Sequence, residues 1–156
     1  MCDVVDESGA RTGRTVVRGT ELPEGESYLV VHVWIRNEAG DYLVQQRAQH
    51  LASDPGVWAA TVGGVWAGED SLSSAIREAK EELGVQLSPA HLRRFDRIKM
   101  DNRVEDLWLA EVSKDAIGTP RLGPDVADWK WASKAELERL VRRGDFFAYS
   151  YFGDLR

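Results

Sequence analysis

The stretch that decides the fold is residues 63–85, GGVWAGEDSLSSAIREAKEELGV. From Ser71 to Leu83 the apolar residues recur with helical spacing, and at about 100° per residue they fall within a stripe roughly 100° wide. This stripe predicts an amphipathic helix with one buried face. Asp70 or Ser71 is suited to cap the start of the helix, and Gly84 is suited to end it. The stripe comprises Leu72, Ala75, Ile76, Ala79 and Leu83.

A second side of the same helix is acidic. Glu78, Glu81 and Glu82 follow the spacing i, i+3, i+4, so three carboxylates share one turn and repel one another. One interpretation is an ordinary solvated acidic face. The other is a site for a hard divalent cation such as Mg²⁺, which prefers carboxylate oxygens and keeps water and phosphate oxygens in its coordination shell.

The spacing of the fixed residues favours the metal site. Five residues separate Gly63 from Glu69, and seven more lead to residues 77–85, REAKEELGV. This is the pattern G-x5-E-x7-R-E-U-x-E-E-x-G-U, where U is a bulky apolar residue, and only the small Ala79 departs from it. A chance match at all seven fixed positions has odds on the order of 10⁻⁸. Residues 63–85 therefore resemble the Nudix box.

The surrounding chain is similar to the Nudix domain in its order of strands, loops and helices. Residues rich in β-branched and aromatic side chains predict strands, residues 1–25 predict a short N-terminal hairpin, and Ser133 begins a second helix that runs to Arg143. The predicted strands are 28–36, 42–47, 58–62, 92–100, 104–112 and 129–131. The resemblance implies an α/β fold, an α/β/α sandwich with a mixed β-sheet and two main helices, within a single domain of residues 1–156.

The resemblance also implies a reaction, the Mg²⁺-dependent or Mn²⁺-dependent cleavage of the phosphoanhydride of a nucleoside diphosphate linked to a second group. A diphosphate repels incoming nucleophiles, and divalent metals neutralise its charge and activate a bound water. The implied metal-binding residues are Gly63, Glu78, Glu81 and Glu82, with Glu81 alternatively the base that takes the proton of the water. Arg77 and Glu69 are implied as residues that fix the carboxylates.

Further candidate residues lie outside the box. Arg47 could bind the substrate diphosphate or be a surface arginine, and Trp66 could cover the substrate. Asp125 is one acidic residue that could join the metal site. Glu105 and Asp106 are the others. His32 lies in an apolar strand, which favours a packed core histidine over a ligand.

One branch of the family fits the flanking sequence best. The segments WIRN at 34–37, QRA at 46–48 and PGVW at 55–58 are similar to those of isopentenyl-diphosphate isomerase. That enzyme has a catalytic cysteine just after the tryptophan, where this chain has AAT at 59–61, and the only cysteine here is Cys2. We therefore expect a hydrolase, with an isomerase-like enzyme or a non-catalytic nucleotide-binding module as the alternatives.

Composition limits the classes of partner. The chain has 156 residues, 20 Lys and Arg against 26 Asp and Glu, and a net charge of −6, which argues against nucleic-acid polymers and membrane surfaces. One cysteine, no apolar run of spanning length and no signal-peptide pattern predict a cytoplasmic protein. The predicted partner is a small-molecule diphosphate. The aromatic tail at 146–152, FFAYSYF, either folds back onto the domain or contributes to a homodimer.

Overall fold

The glutamate-rich segment forms the helix that the sequence predicts. In the computed structural model, which describes all 156 residues, helix α1 spans Ser71–Leu83. The Asp70 side chain accepts a hydrogen bond from the Ser73 backbone N–H at 2.7 Å, which caps the first turn. The helix ends at Gly84, whose φ of 64° lies in the left-handed region that favours glycine.

The apolar stripe of α1 packs against one face of a β-sheet. Ala75, Ala79 and Leu83 are fully buried, and they share a core cluster with Val31 and Val33 of the central strand. The small Ala79 of the box is thus a core residue, as its place in the stripe predicts.

Nine strands form one mixed sheet centred on β3. Strand β8 pairs with β3 in parallel, whereas β1, β6 and β4 pair with it antiparallel, one after another along its length. The strands are β1 Cys2–Asp6, β2 Arg11–Val16, β3 Glu26–Arg36, β4 Tyr42–Arg47, β5 Trp58–Ala59, β6 Thr61–Gly64, β7 Leu92–Met100, β8 Arg103–Glu111 and β9 Val126–Ala132. Strands β1 and β2 are the predicted N-terminal hairpin, and β1 joins it to the sheet through β3.

The strand predicted at 58–62 is two strands, which corrects the sequence interpretation. Strands β3 and β4 pair only at Ile35–Leu43 and Arg36–Tyr42, and then diverge. The chain therefore pairs with β4 through β5, breaks at Ala60, and pairs with β3 through β6. The divergence opens a gap in the sheet beside α1, and the candidate site lies there.

Two further helices follow β8. Helix α2, Lys114–Ile117, is a single turn that the sequence pattern did not predict. Helix α3, Lys134–Arg143, is the predicted second main helix, with Ser133 accepting a hydrogen bond from the Glu136 N–H at 3.1 Å. No helix has the length and apolar character needed to cross a bilayer.

The aromatic tail folds back onto the face of the sheet opposite α1. Phe146, Tyr149 and Tyr151 are buried in a cluster with Trp34 and with Leu137 of α3. Helices thus cover both faces of a mixed sheet, and the predicted α/β/α sandwich is confirmed. Because the tail packs within its own chain, it lends no support to the homodimer, which stays a prediction.

Candidate active site

A cavity of about 570 Å³ opens where β3 and β4 diverge. Eight of the nine residues predicted for the site line it, and Glu69 lies just behind its wall through a contact with Arg77. Helix α1 supplies most of the acidic side chains, and strand β6 and the C-terminal segment also line the cavity. The eight lining residues are Arg47, Gly63, Trp66, Arg77, Glu78, Glu81, Glu82 and Asp125.

Arg77 connects the acidic residues of the box. Its guanidinium donates to both carboxylate oxygens of Glu69, at 2.8 and 2.9 Å, to Glu78 at 2.8 Å and to Glu81 at 3.2 Å. It also donates to the Gly64 carbonyl at 2.9 Å, which ties helix α1 to strand β6. Burial lowers the pKa of Arg77, but the hydrogen bonds to Glu69 and the attraction of Glu78 outweigh it and raise that pKa above its ordinary value. The guanidinium therefore stays charged and fixes the carboxylates.

Glu69 and Trp66 complete the support around Arg77. Burial raises the pKa of Glu69, but the hydrogen bonds from Arg77 and from the Trp66 backbone N–H reverse this and lower it. The Arg77 guanidinium lies 3.7 Å from the centroid of the Trp66 ring, a cation–π contact. Trp66 is nevertheless half exposed at the cavity wall, so it is free to contact a ligand as well.

Glu78 and Glu82 form a close pair of partly buried carboxyl groups, one turn apart on α1. Burial raises the pKa of both, and the nearby charge of Glu78 raises that of Glu82 further. For Glu82 the pKa rises to about 8, against a hydrogen bond from the Gln45 side-chain amide that lowers it. Gly63 lies against this pair, because a Cβ at Gly63 would overlap the Glu78 carboxyl group.

This arrangement fits a divalent cation held by two carboxylates. The donors are all oxygens, and Mg²⁺ in such sites takes one or two carboxylates and keeps waters and substrate phosphate oxygens. No ready cluster of three or more His, Cys, Asp or Glu side chains is formed. Glu81 is half exposed and bonded to Arg77. Glu78 and Glu82 are therefore the residues that would hold the cation, with Glu81 beside them.

The acidic candidates outside the box are separated by the strand register. Successive side chains of a strand point to opposite faces, so Glu105 lines the cavity whereas Asp106 does not. Asp106 is fully buried and accepts two hydrogen bonds from Arg97, at 2.5 and 2.9 Å. Asp125 lies on the cavity rim with its side chain mostly exposed and bonded to His50 at 3.0 Å.

Arginines surround the cavity mouth. Arg47 lines the cavity, and its guanidinium donates twice to the Ser53 carbonyl, at 3.1 and 2.8 Å, which fixes its position. Arg18 and Arg103 also line it. The sequence pattern did not single out either residue, since one follows β2 and the other begins β8, and only the folded sheet brings them together.

Comparison with known proteins identifies the family of the chain. Residues 27–152 match the NUDIX domain, which is most of the chain.

The chain belongs to the Nudix family of hydrolases.

Its relatives cover almost its whole length. An uncharacterized Nudix hydrolase of Listeria monocytogenes, lmo0368, is 32% identical over 154 residues, which cover 98% of this chain and 91% of the relative. An isopentenyl-diphosphate Delta-isomerase of Streptomyces coelicolor is 35% identical over 157 residues, covering 96% of this chain and 79% of that protein. The crystal structure of DR0079 from Deinococcus radiodurans is similar with a TM-score of 0.76 at 21% identity, over 99% of this chain and 96% of that one, which shows a common fold.

The raised pKa of Glu82 predicts how the stability of the metal-free protein changes with pH. Between pH 4.5 and 8 the folded protein holds a proton that the unfolded chain has released, so the free energy of unfolding falls as the pH rises through this window. Glu82→Gln removes this ionisation. We expect the variant, in EDTA, to be more stable than the wild type by up to about 5 kcal/mol at pH 9, or about 10 °C in Tm, with a much smaller difference at pH 5.

The measurement is thermal unfolding at a series of pH values, followed by circular dichroism. The difference between the two proteins reports the titration of the Glu78–Glu82 pair, because the pKa of each carboxyl group depends on the other. A difference in Tm that does not grow between pH 5 and pH 9 would contradict the burial of an ionisable Glu82.

Proposed function

We propose that this Nudix protein is a pyrophosphohydrolase that cleaves the phosphoanhydride of a nucleoside diphosphate linked to a second group, with Mg²⁺ or Mn²⁺. One observation carries the proposal, the buried Glu78–Glu82 carboxyl pair at the wall of a 570 Å³ cavity. Two adjacent carboxylates disfavour each other when both are ionised, and a divalent cation between them removes that cost.

Each residue of the box has a distinct task in the proposed reaction. Glu78 and Glu82 hold the cation, which when bound neutralises diphosphate charge and lowers the pKa of a water. Glu81 is the most exposed of the three carboxylates and is not part of the Glu78–Glu82 pair. It is therefore suited to accept the proton of the attacking water. Arg77, which is itself held by Glu69, keeps Glu78 and Glu81 in place, and Gln45 holds Glu82.

The arginines of the cavity account for binding of an anion by a protein with a net charge of −6. Arg18, Arg47 and Arg103 line the same cavity as the carboxylate pair. A diphosphate that spans from the cation to these guanidinium groups would have positive charge on both sides. The net charge of the protein then does not oppose binding, because the cation and the arginines set the local charge of the site once a cation is bound.

The isomerase alternative is favoured by the 35% identity to an isopentenyl-diphosphate Delta-isomerase. The cavity argues against it. No cysteine lines the cavity, and Cys2 is buried on β1. A non-catalytic module is disfavoured because the box keeps every carboxylate, and all of them lie at or beside the cavity.

The test is an assay with Mg²⁺ against nucleoside diphosphates, nucleoside triphosphates, sugar nucleotides and isopentenyl diphosphate, with products identified by mass spectrometry. We expect hydrolysis of at least one nucleotide, complete loss in EDTA, recovery with Mn²⁺, and no isomerised isopentenyl product. Glu81→Gln should lower turnover without changing the Mg²⁺ concentration at half-saturation, as a base would. No hydrolysis across the panel would contradict the proposal, and isomerisation would favour the alternative.

A further inference from the structure

A buried hydrogen-bond chain fixes the orientation of His32 at the cavity wall. His32 lies on β3, is 5% exposed and lines the cavity. Its Nδ1 lies 2.6 Å from the hydroxyl of Tyr151, and that hydroxyl accepts a hydrogen bond from Trp34 Nε1 at 3.0 Å. The histidine was predicted to be a packed core residue, and it is one, but its ring also reaches the cavity.

The chain determines which nitrogen of His32 carries the proton. An indole N–H can only donate, so the Tyr151 oxygen is the acceptor of that bond. The hydrogen of the Tyr151 hydroxyl then has one acceptor in the protein, His32 Nδ1. His32 is therefore the Nε2–H tautomer. Burial, together with the positive charge of Arg103, lowers the pKa of His32 to about 3, so the ring stays neutral.

The Nε2–H group has no acceptor at hydrogen-bond distance within the protein. Its nearest carboxylate oxygen, Oε2 of Glu105, is 3.6 Å away. The other oxygen of Glu105 is held by Arg103 at 3.0 Å. A donor, His32 Nε2–H, and an acceptor, Glu105 Oε2, thus lie side by side at the cavity surface, and both have hydrogen-bonding capacity left for a ligand.

Aromatic rings, tilted against one another, adjoin this pair. The rings of Tyr149 and His32 have centroids 5.3 Å apart, and the next ring along the tail, Phe147, is 4.8 Å from Tyr149. Phe147 is 39% exposed and lines the cavity. A planar ligand could pack against these rings, and an acceptor and a donor on its edge could bond to His32 and Glu105. A heterocyclic base has these properties.

We propose that His32 and Glu105 form a subsite that binds the edge of the nucleobase, with His32 donating and Glu105 accepting. The proposal rests on the proposed function, since it assigns the half of the substrate that the box does not hold. Tyr151 is a positioning residue in this subsite, because its hydroxyl selects the His32 tautomer and does not reach the ligand.

Binding of analogues that cannot be hydrolysed tests the subsite without requiring turnover. The probes are the four nucleoside 5′-(α,β-methylene)diphosphates, methylenediphosphonate, which lacks nucleoside, and the ribose analogue that lacks only the base. Isothermal titration calorimetry with Mg²⁺ gives Kd for each. We expect His32→Leu to weaken at least one nucleoside analogue about 10- to 100-fold, and to leave methylenediphosphonate unchanged. His91→Leu, at an exposed site remote from the cavity, is the matched control.

Tyr151→Phe keeps the ring of Tyr151 and removes only the hydroxyl. In ¹⁵N NMR spectra we expect wild-type His32 to be the Nε2–H tautomer at pH 7, and the variant to show a mixture. Affinity for the same nucleoside analogue should fall by less than in His32→Leu. A wild-type Nδ1–H tautomer would overturn the proposal.

The remaining outcomes separate this subsite from the proposed function. Equal affinity of the base-free ribose analogue and the nucleoside analogues would assign the pair to sugar hydroxyls and overturn the nucleobase subsite. Tight, His32-independent binding of every nucleoside analogue would overturn it while leaving the diphosphate function intact. His32-dependent nucleoside binding in a protein that neither binds methylenediphosphonate nor hydrolyses any nucleotide would support the subsite and count against the hydrolase.

Discussion

Glu82→Gln should reduce Mg²⁺-dependent nucleotide hydrolysis about 1,000-fold while leaving the fold intact. The glutamine keeps the size of the side chain, and its amide can still bond to Gln45, so the packing of α1 changes little. What it loses is one of two charges that would hold the cation. A 1,000-fold loss corresponds to about 4 kcal/mol of transition-state stabilisation, the several kcal/mol that a bound metal supplies.

The measurement is kcat/KM with the best substrate of the assay, together with the Mg²⁺ affinity of the free protein by calorimetry. Both should fall in Glu82→Gln. Glu138→Gln is the matched control, because Glu138 is exposed on α3 and has no part in the site. Unchanged turnover in Glu82→Gln would remove Glu82 from the set of metal-binding residues.

The acidic helix, and the contacts of Arg77 and Glu69 that hold its carboxylates, could be predicted from the sequence because they join residues that are close along the chain. The residues that connect Glu69 to Glu82 lie within 14 positions, and helical geometry alone sets which of them share a face. The cap at Asp70 and the end at Gly84 follow from residue chemistry in the same way. The sequence interpretation placed Glu78, Glu81 and Glu82 together on one side of the helix, whereas the structure buries Glu78 and leaves Glu81 half exposed.

The rest of the cavity depends on pairings between distant segments. A shift of one residue in the register of β8 would exchange Glu105 and Asp106 between the two faces, and the sequence of β8 alone does not fix that register. The contact between His32 and Tyr151 spans 119 positions. It depends on how the tail packs over the sheet, and an aromatic tail by itself is equally compatible with a partner subunit.

His32 shows why burial and function are not alternatives. The apolar strand around it predicts burial, and burial is observed. A strand that lines a cavity has the same alternation of apolar and polar residues as a strand that lines a core. The sequence pattern therefore does not distinguish the two. The cavity arises because β3 and β4 diverge, a property of the sheet and not of either strand.

Arg77→Ala should destabilise the metal-free protein by about 3 kcal/mol, the magnitude expected when one partner of a largely buried ion pair is removed. The side chains of Arg77 and Glu69 are each 15% exposed, and that of Glu78 is 10% exposed. Without the guanidinium, two such carboxylates lack a counter-charge. Arg77→Lys should recover part of the loss, because an ammonium keeps the charge but cannot donate to Glu69 with two parallel bonds. Urea unfolding in EDTA measures both effects, with Arg139→Ala on the exposed side of α3 as control.

Catalysis separates the role of Arg77 from that of the carboxylate pair. In the metal-free protein one guanidinium nitrogen of Arg77 lies 2.8 Å from the Glu78 carboxylate. A cation that binds Glu78 must therefore compete with this ion pair. Arg77→Ala should therefore bind Mg²⁺ at least as tightly as the wild type, whereas Glu82→Gln should bind it more weakly. Turnover should still fall about 10- to 100-fold, because Glu78 and Glu81 lose the group that orients them. Weaker Mg²⁺ binding in Arg77→Ala would show instead that the guanidinium builds the cation site itself, and full activity would show that the carboxylates need no support from it.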